Sequence, residues 1–93
     1  MALDQARARI QKLLDEKPFD GTIKFDCGDQ GNLMMSQDQI NDTDGEAPCT
    51  VTLSAEDLLA LIDGELNPTI GFMQGKLKID GDMSVALKLA SLL

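Results

Sequence analysis

Cys27, Cys49, a few serines and sixteen carboxylates are what this chain of 93 residues offers for chemistry, and it contains no histidine. That absence removes the commonest general base and the commonest metal ligand together. A serine nucleophile would then need a lysine base at Ser-x-x-Lys spacing, whereas Ser84 and Lys88 stand four apart. Asp38 to Glu46 has the acid content of a calcium loop. With Gly45 as its turn glycine, however, Ile40 falls at the first ligand position and Val51 at the last, where oxygen donors are required. The glycines form neither a dinucleotide fingerprint nor a phosphate loop, and the two cysteines lack the neighbours of a zinc site. The sequence implies no cofactor and no enzyme. A formal net charge of −8 opposes the cationic footprint that nucleic acid requires. What remains is a small acidic binding module.

The elements that would position a binding site follow from periodicity and capping. Residues 2–17 read as an amphipathic helix, with Leu3, Ala6, Ile10, Leu13 and Leu14 on one face and Pro18 stopping it. Residues 21–27 alternate as a strand, Gly28 to Gly31 turn the chain, and Asn32 to Gln37 return. The stretch from Asp38 to Pro48 is polar, with a short strand near Ile40. Cys49 to Leu53 alternates again and runs into Ser54-Ala55-Glu56-Asp57, a capping-box pattern that opens a helix ending at Gly64. Asn67-Pro68 starts a short helix to about Gln74. Lys76 to Asp80 forms a last strand, and Asp82 caps a final helix from Met83 to Leu93. This is one α+β domain whose sheet is covered by helices on one side. Cys27 and Cys49 are expected as buried, reduced thiols. The first sixteen residues carry charges throughout and no stretch approaches the roughly 18 apolar residues of a membrane span, so a cytoplasmic location is expected.

Three features depart from an ordinary core. The last helix is apolar over most of its circumference, leaving Ser84, Lys88 and Ser91 as one narrow polar stripe. A domain of this size does not easily bury a helix on all sides, so a partner, a lipid surface or an apolar ligand is expected to cover the surplus. The aromatic content is three Phe, without Trp or Tyr, while five Met include Met34, Met35, Met73 and Met83. Methionine suits surfaces that adapt to variable apolar shapes, although it also fills gaps in cores. Finally, residues 25–75 hold ten carboxylates and no base, so the basic residues gather toward the two ends of the chain. They are either scattered solvated charges or, if the ends meet, a basic rim beside the last helix that suits transient contact with anionic lipid.

The block from 49 to 93 carries a specific resemblance. Cys49-Thr-Val-Thr-Leu-Ser, then Asp57-Leu-Leu-Ala-Leu-Ile-Asp-Gly64-Glu-Leu-Asn-Pro68, then Phe72-Met-Gln-Gly-Lys-Leu-Lys-Ile-Asp-Gly-Asp-Met83 and Ala86-Leu-Lys-Leu89 resemble the sterol carrier protein-2 family of lipid-transfer domains. The N-terminal half matches in pattern alone. The resemblance implies a roughly five-stranded mixed or antiparallel sheet with helices over it, enclosing a hydrophobic tunnel for fatty acid, acyl-CoA, phospholipid or sterol, and a carrier instead of a catalyst. Carried onto this sequence, Phe72, Met73, Leu77 and Ile79 would form one tunnel wall, and Met83 and Leu87 of the last helix a mobile lid. Phe25, Met35, Val51, Leu53, Leu58, Ile62 and Ile70 complete the ligand-lining set it implies. The chain is shorter than eukaryotic members, which favours single acyl chains over sterol. Burying such a chain gains about 0.8 kcal/mol per methylene, so chain length would outweigh head group in setting affinity. The other reading is an interaction module, monomer or weak dimer, whose apolar last helix docks on a partner or a second copy.

Overall fold

The computed structural model describes residues 2–42 and 45–92, with side chains described as far as 89. In chain order the elements are α1 (Ala2–Glu16), β1 (Phe19–Asp26), a 3-10 turn (Gly28–Gln30), β2 (Asn32–Gln37), β3 (Gln39–Asn41), β4 (Cys49–Leu53), α2 (Ala55–Ile62), α3 (Pro68–Met73), β5 (Leu77–Gly81) and α4 (Met83–Leu92). The expected helices, hairpin and strands are all present, including the short strand at Ile40. Thr43, Asp44 and Leu93 lie outside the described residues.

The five strands make one sheet in the order β3-β2-β1-β4-β5. Neighbours are antiparallel except β1 and β4, which run parallel, with Phe25 opposite Val51. Register gathers the alternate apolar residues on one face: Ile23 sits beside Met35 and Cys49, Val51 beside Ile79, and Leu53 beside Leu77. Helices cover that face. Ala6, Ile10 and Leu14 of α1, Leu58 and Leu61 of α2, and Val85, Ala86 and Leu89 of α4 are buried with it in one core. The opposite face carries Lys24, Thr50, Thr52, Lys78 and Asp80, none of them buried. One-sided burial is what the period-two alternation demands.

Two boundaries differ from expectation for physical reasons. β1 begins at Phe19, two residues early, because Phe19 pairs with Gln37 before a bulge that precedes Thr22. Pro18 and Gly21 make that segment look like a turn in sequence, but a bulge tolerates both. β5 runs from Leu77 to Gly81, since Lys76 donates its N–H to Gly71 and belongs to the end of α3.

The caps read from sequence hold the ends of the helices. Ser54 Oγ accepts the Asp57 N–H at 3.0 Å, and Asn67 Oδ1 accepts those of Thr69 and Ile70 at 2.9 and 3.3 Å. Two glutamines do what sequence did not suggest. The Gln11 side chain donates to the Asp38 carbonyl at 2.7 Å and accepts from the Ile40 N–H at 3.2 Å, tying α1 to β3. Gln30 accepts the Ala55 N–H at 3.0 Å, so a residue of the hairpin turn satisfies the first turn of α2.

The joint between β5 and α4 is set by Gly81. Its φ is +107°, and a Cβ there would overlap the Pro48 carbonyl. That carbonyl also accepts the Asp82 N–H at 2.8 Å. Asp82 Oδ1 in turn accepts the Ser84 N–H at 2.9 Å and its hydroxyl at 2.6 Å, capping α4 as expected. The direction in which α4 leaves the sheet is therefore fixed by backbone geometry at one residue.

Candidate functional site

Two apolar spaces lie beneath and beside α4. The first is a void of about 10 Å³ in the interior, lined by Ile10 and Leu13 of α1, Leu58, Leu61 and Ile62 of α2, Phe25 and Met35 of the sheet, and Leu89 of α4. That is the room of about one water molecule, and no polar atom lines it, so it is a dry packing defect. The second is a cleft of about 190 Å³, open to solvent, between α3, β5 and α4. Pro68, Thr69, Phe72, Ile79, Met83, Ala86 and Leu87 line it. Ligand pockets for drug-sized molecules run to roughly 300 Å³ and more, so the cleft as it stands accommodates a segment of an acyl chain.

α4 connects the two. Ala86 borders the cleft and Leu89 borders the void. Three residues apart, they occupy one stripe of the helix about 4.5 Å from each other along its axis. Cleft and void thus meet the inner face of α4 at residues about one turn apart. In this conformation an open cleft and a separate small void stand where a tunnel was expected.

The residues expected to line a ligand divide between these places. Phe25, Met35, Leu58 and Ile62 border the void, and Phe72, Ile79, Met83 and Leu87 border the cleft. Val51, Leu53 and Leu77 are buried in the core cluster and line neither space. Ile70 and Met73 lie on the solvent side of α3, 51% and 79% exposed, outside the cleft. The structure adds Ile10, Leu13, Leu61 and Leu89 at the void and Pro68, Thr69 and Ala86 at the cleft. The row Met83, Ala86, Leu89 was visible as an i, i+3 spacing, but alanine carries too little bulk to attract notice as a wall.

Among the described residues no charged side chain lines either space, and the polar side chain of the lining is that of Thr69 in the cleft. The basic residues at the two ends of the chain are partly engaged elsewhere. Arg9 pairs with Asp63 across α1 and α2, and Lys88 reaches Asp20 at 3.3 Å. Ser84 donates its hydroxyl and its N–H to Asp82, which lowers that carboxyl below its ordinary value. Burial, reinforced by the carboxylates of Asp26 and Glu56, pushes the Cys27 thiol up to about 11. Burial also raises Cys49, helped by Asp82 and Asp80. Both thiols are free and buried, the state expected of them. Among the described residues no cluster of three or more His, Cys, Asp or Glu could hold a metal ion, and no helix is long and apolar enough to cross a membrane.

Comparison with known proteins places this architecture. The model of a family described as the SCP-2 sterol transfer family matches residues 2–93. Sterol carrier protein 2 of Rattus norvegicus is 55% identical over 51 residues, which cover 55% of this chain and 9% of that protein. The chain therefore spans a small part of the length of that curated relative. Among solved structures, sterol carrier protein 2 like 2 from Aedes aegypti superposes with a TM-score of 0.84 at 20% identity, covering 100% of this chain and 97% of that one. Sterol carrier protein-2 from the same organism, determined in complex with C16 fatty acid (palmitate), gives a TM-score of 0.81 at 22% identity over 98% and 93% of the two chains. At those identities the likeness is one of fold.

Proposed function

The chain belongs to the SCP-2 sterol transfer family, and from that premise we propose that it is a non-catalytic carrier of single acyl chains, moving them between membranes or to enzymes. The observation that carries this reading is that cleft and void meet the inner face of α4 at residues about one turn apart. An acyl chain enters between Phe72, Ile79, Met83 and Leu87, and its far end takes the place of the packing defect beside Phe25, Met35 and Leu89 as α4 moves outward. Each methylene transferred from water gains about 0.8 kcal/mol, so a sixteen-carbon chain offsets the loss of helix packing with free energy to spare. Without a charged lining group, chain length governs affinity and head-group choice is weak. The palmitate held by the Aedes aegypti protein is a guest of this class. The cleft, of about 190 Å³, is walled by unbranched Met83 and by Leu87, which favours a flexible chain over a rigid sterol ring system.

The test is organic extraction and mass spectrometry of the purified protein, followed by titration of a delipidated sample with fluorescent fatty acids of graded length. Co-purifying acyl lipid, and affinity that rises with chain length, are expected. A delipidated protein that binds none of the series ends the reading.

A further inference from the structure

The two margins of the sheet differ in what covers them. At β3 the backbone is engaged from outside, where the Gln11 side chain of α1 accepts the Ile40 N–H and donates to the Asp38 carbonyl. At β5 the joint with α4 tells which way the backbone groups point. Asp82 donates its N–H to the Pro48 carbonyl, one step beyond the Cys49–Gly81 pair. Antiparallel pairs alternate between bonded and non-bonded, so Asp80 and Lys78 bond to Thr50 and Thr52. The N–H and C=O groups of Leu77, Ile79 and Gly81 then point away from β4. Among the described residues no hydrogen bond reaches those outward groups. α3 approaches β5 through Gly71, over the Leu77 side chain on the inner face. A margin of this kind is a template for another strand.

The charges along this margin decide which strand fits. From Lys76 to Asp82 the chain reads Lys-Leu-Lys-Ile-Asp-Gly-Asp, with lysines at alternate positions before Ile79 and aspartates at alternate positions after it. We propose that β5 pairs antiparallel with β5 of a second copy of this chain, about a two-fold axis at Ile79, so that one sheet continues across the dimer. In that register Ile79 meets its own copy as a hydrogen-bonded pair and Leu77 meets Gly81, which uses the outward backbone groups. Lys78, exposed on the polar face, falls opposite the equally exposed Asp80, and Lys76 falls opposite Asp82. Symmetry repeats both pairs. A slip of two residues would set Lys78 against Lys78 or Asp80 against Asp80, and a slip of one would turn the apolar side chains to the wrong face. Lysine on an edge strand ordinarily discourages pairing, but the aspartates that follow make this edge complementary to itself. Ile79 lines the cleft, so the clefts of the two copies flank the axis and the wall of each gains a ladder on its second side.

Sedimentation equilibrium of the full chain over a range of concentrations tests the proposal, together with amide hydrogen exchange on the same samples. A weak monomer–dimer equilibrium that salt weakens further is expected, as suits a small interface held partly by ion pairs. The Leu77, Ile79 and Gly81 amides exchange more slowly as the dimer fills. Lys78→Asp and Asp80→Lys each set like charges face to face on both sides of the axis and raise the dissociation constant about tenfold. The double variant Lys78→Asp/Asp80→Lys restores the dimer, and so does an equimolar mixture of the two single variants. Both side chains are exposed and outside the cleft, so the thermal midpoint of the dilute monomer stays at its wild-type value. A chain that remains monomeric at the concentrations NMR requires overturns the proposal. So does a dimer whose strength neither single variant changes, or one that Met73→Asp dissociates while the charge variants leave it intact.

Discussion

The half of the molecule around α1, α2, β1 and β2 and the half around α3, β5 and α4 are built from similar residues and packed to opposite ends. In the first, Ile10, Leu14, Phe25, Leu33, Met35 and Leu58 are at most 3% exposed, and the space left among them is about 10 Å³. In the second, Phe72, Met83 and Leu87 are each about half exposed or more around a cleft of about 190 Å³. The difference teaches where stability and exchange reside. A close-packed core resists any change of volume. A cleft whose walls already meet water gives up little when a guest replaces that water. α4 belongs to both halves, with Leu89 in one and Leu87 in the other, and it is the element through which one can yield to the other.

The contrast can be broken or sharpened by substitution. Phe25→Ala empties the packed half, and a loss of about 3–5 kcal/mol in urea unfolding is expected; a cost under about 1 kcal/mol would mean that the interior is already loose. Phe72→Ala acts on the open half. It should cost less than about 1 kcal/mol of stability, since the ring is 48% exposed, while weakening fatty-acid binding about tenfold. Equal losses in both measurements would erase the distinction between the halves. The smallest effect is expected at the cap of α4. The folded-state pKa of Asp82 lies below its ordinary 3.8, so its bond to Ser84 contributes stability above about pH 4 and loses it as pH falls through the lowered native value. Ser84→Ala should move the Asp82 carboxyl back toward 3.8 in a carboxyl NMR titration and flatten the acid limb of the thermal midpoint. An unmoved resonance would show that the backbone N–H alone holds the carboxylate.

Much of this fold was legible along the chain because its signals are local. Ser54, Asn67 and Asp82 announce helix starts through bonds to residues two or three positions on, and the hairpin turn and strand alternation need no distant partner. The parallel pairing of β1 with β4 and the order of the five strands were not legible, since they depend on segments more than twenty residues apart. Gln11 and Gln30 escaped for the same reason: their partners, Ile40 and Ala55, lie 29 and 25 positions away. At the site, sequence identified apolar residues but could not sort them. Whether Ile70 and Met73 turn inward or outward depends on the rotation of a helix of six residues, which has too few turns for periodicity to fix a face. Leu53, Leu58 and Leu77 are indistinguishable in type from Leu87, and strand register and helix rotation decide that three are buried and one is exposed.

β5 is the hem of the sheet. It is bonded to β4 on one side, while its other margin meets no strand among the described residues. The wall that carries Ile79 can therefore flex at the expense of a single ladder, leaving the central pairs of β1 undisturbed. A host built this way can loosen its girth to suit guests of different thickness and still keep its shape.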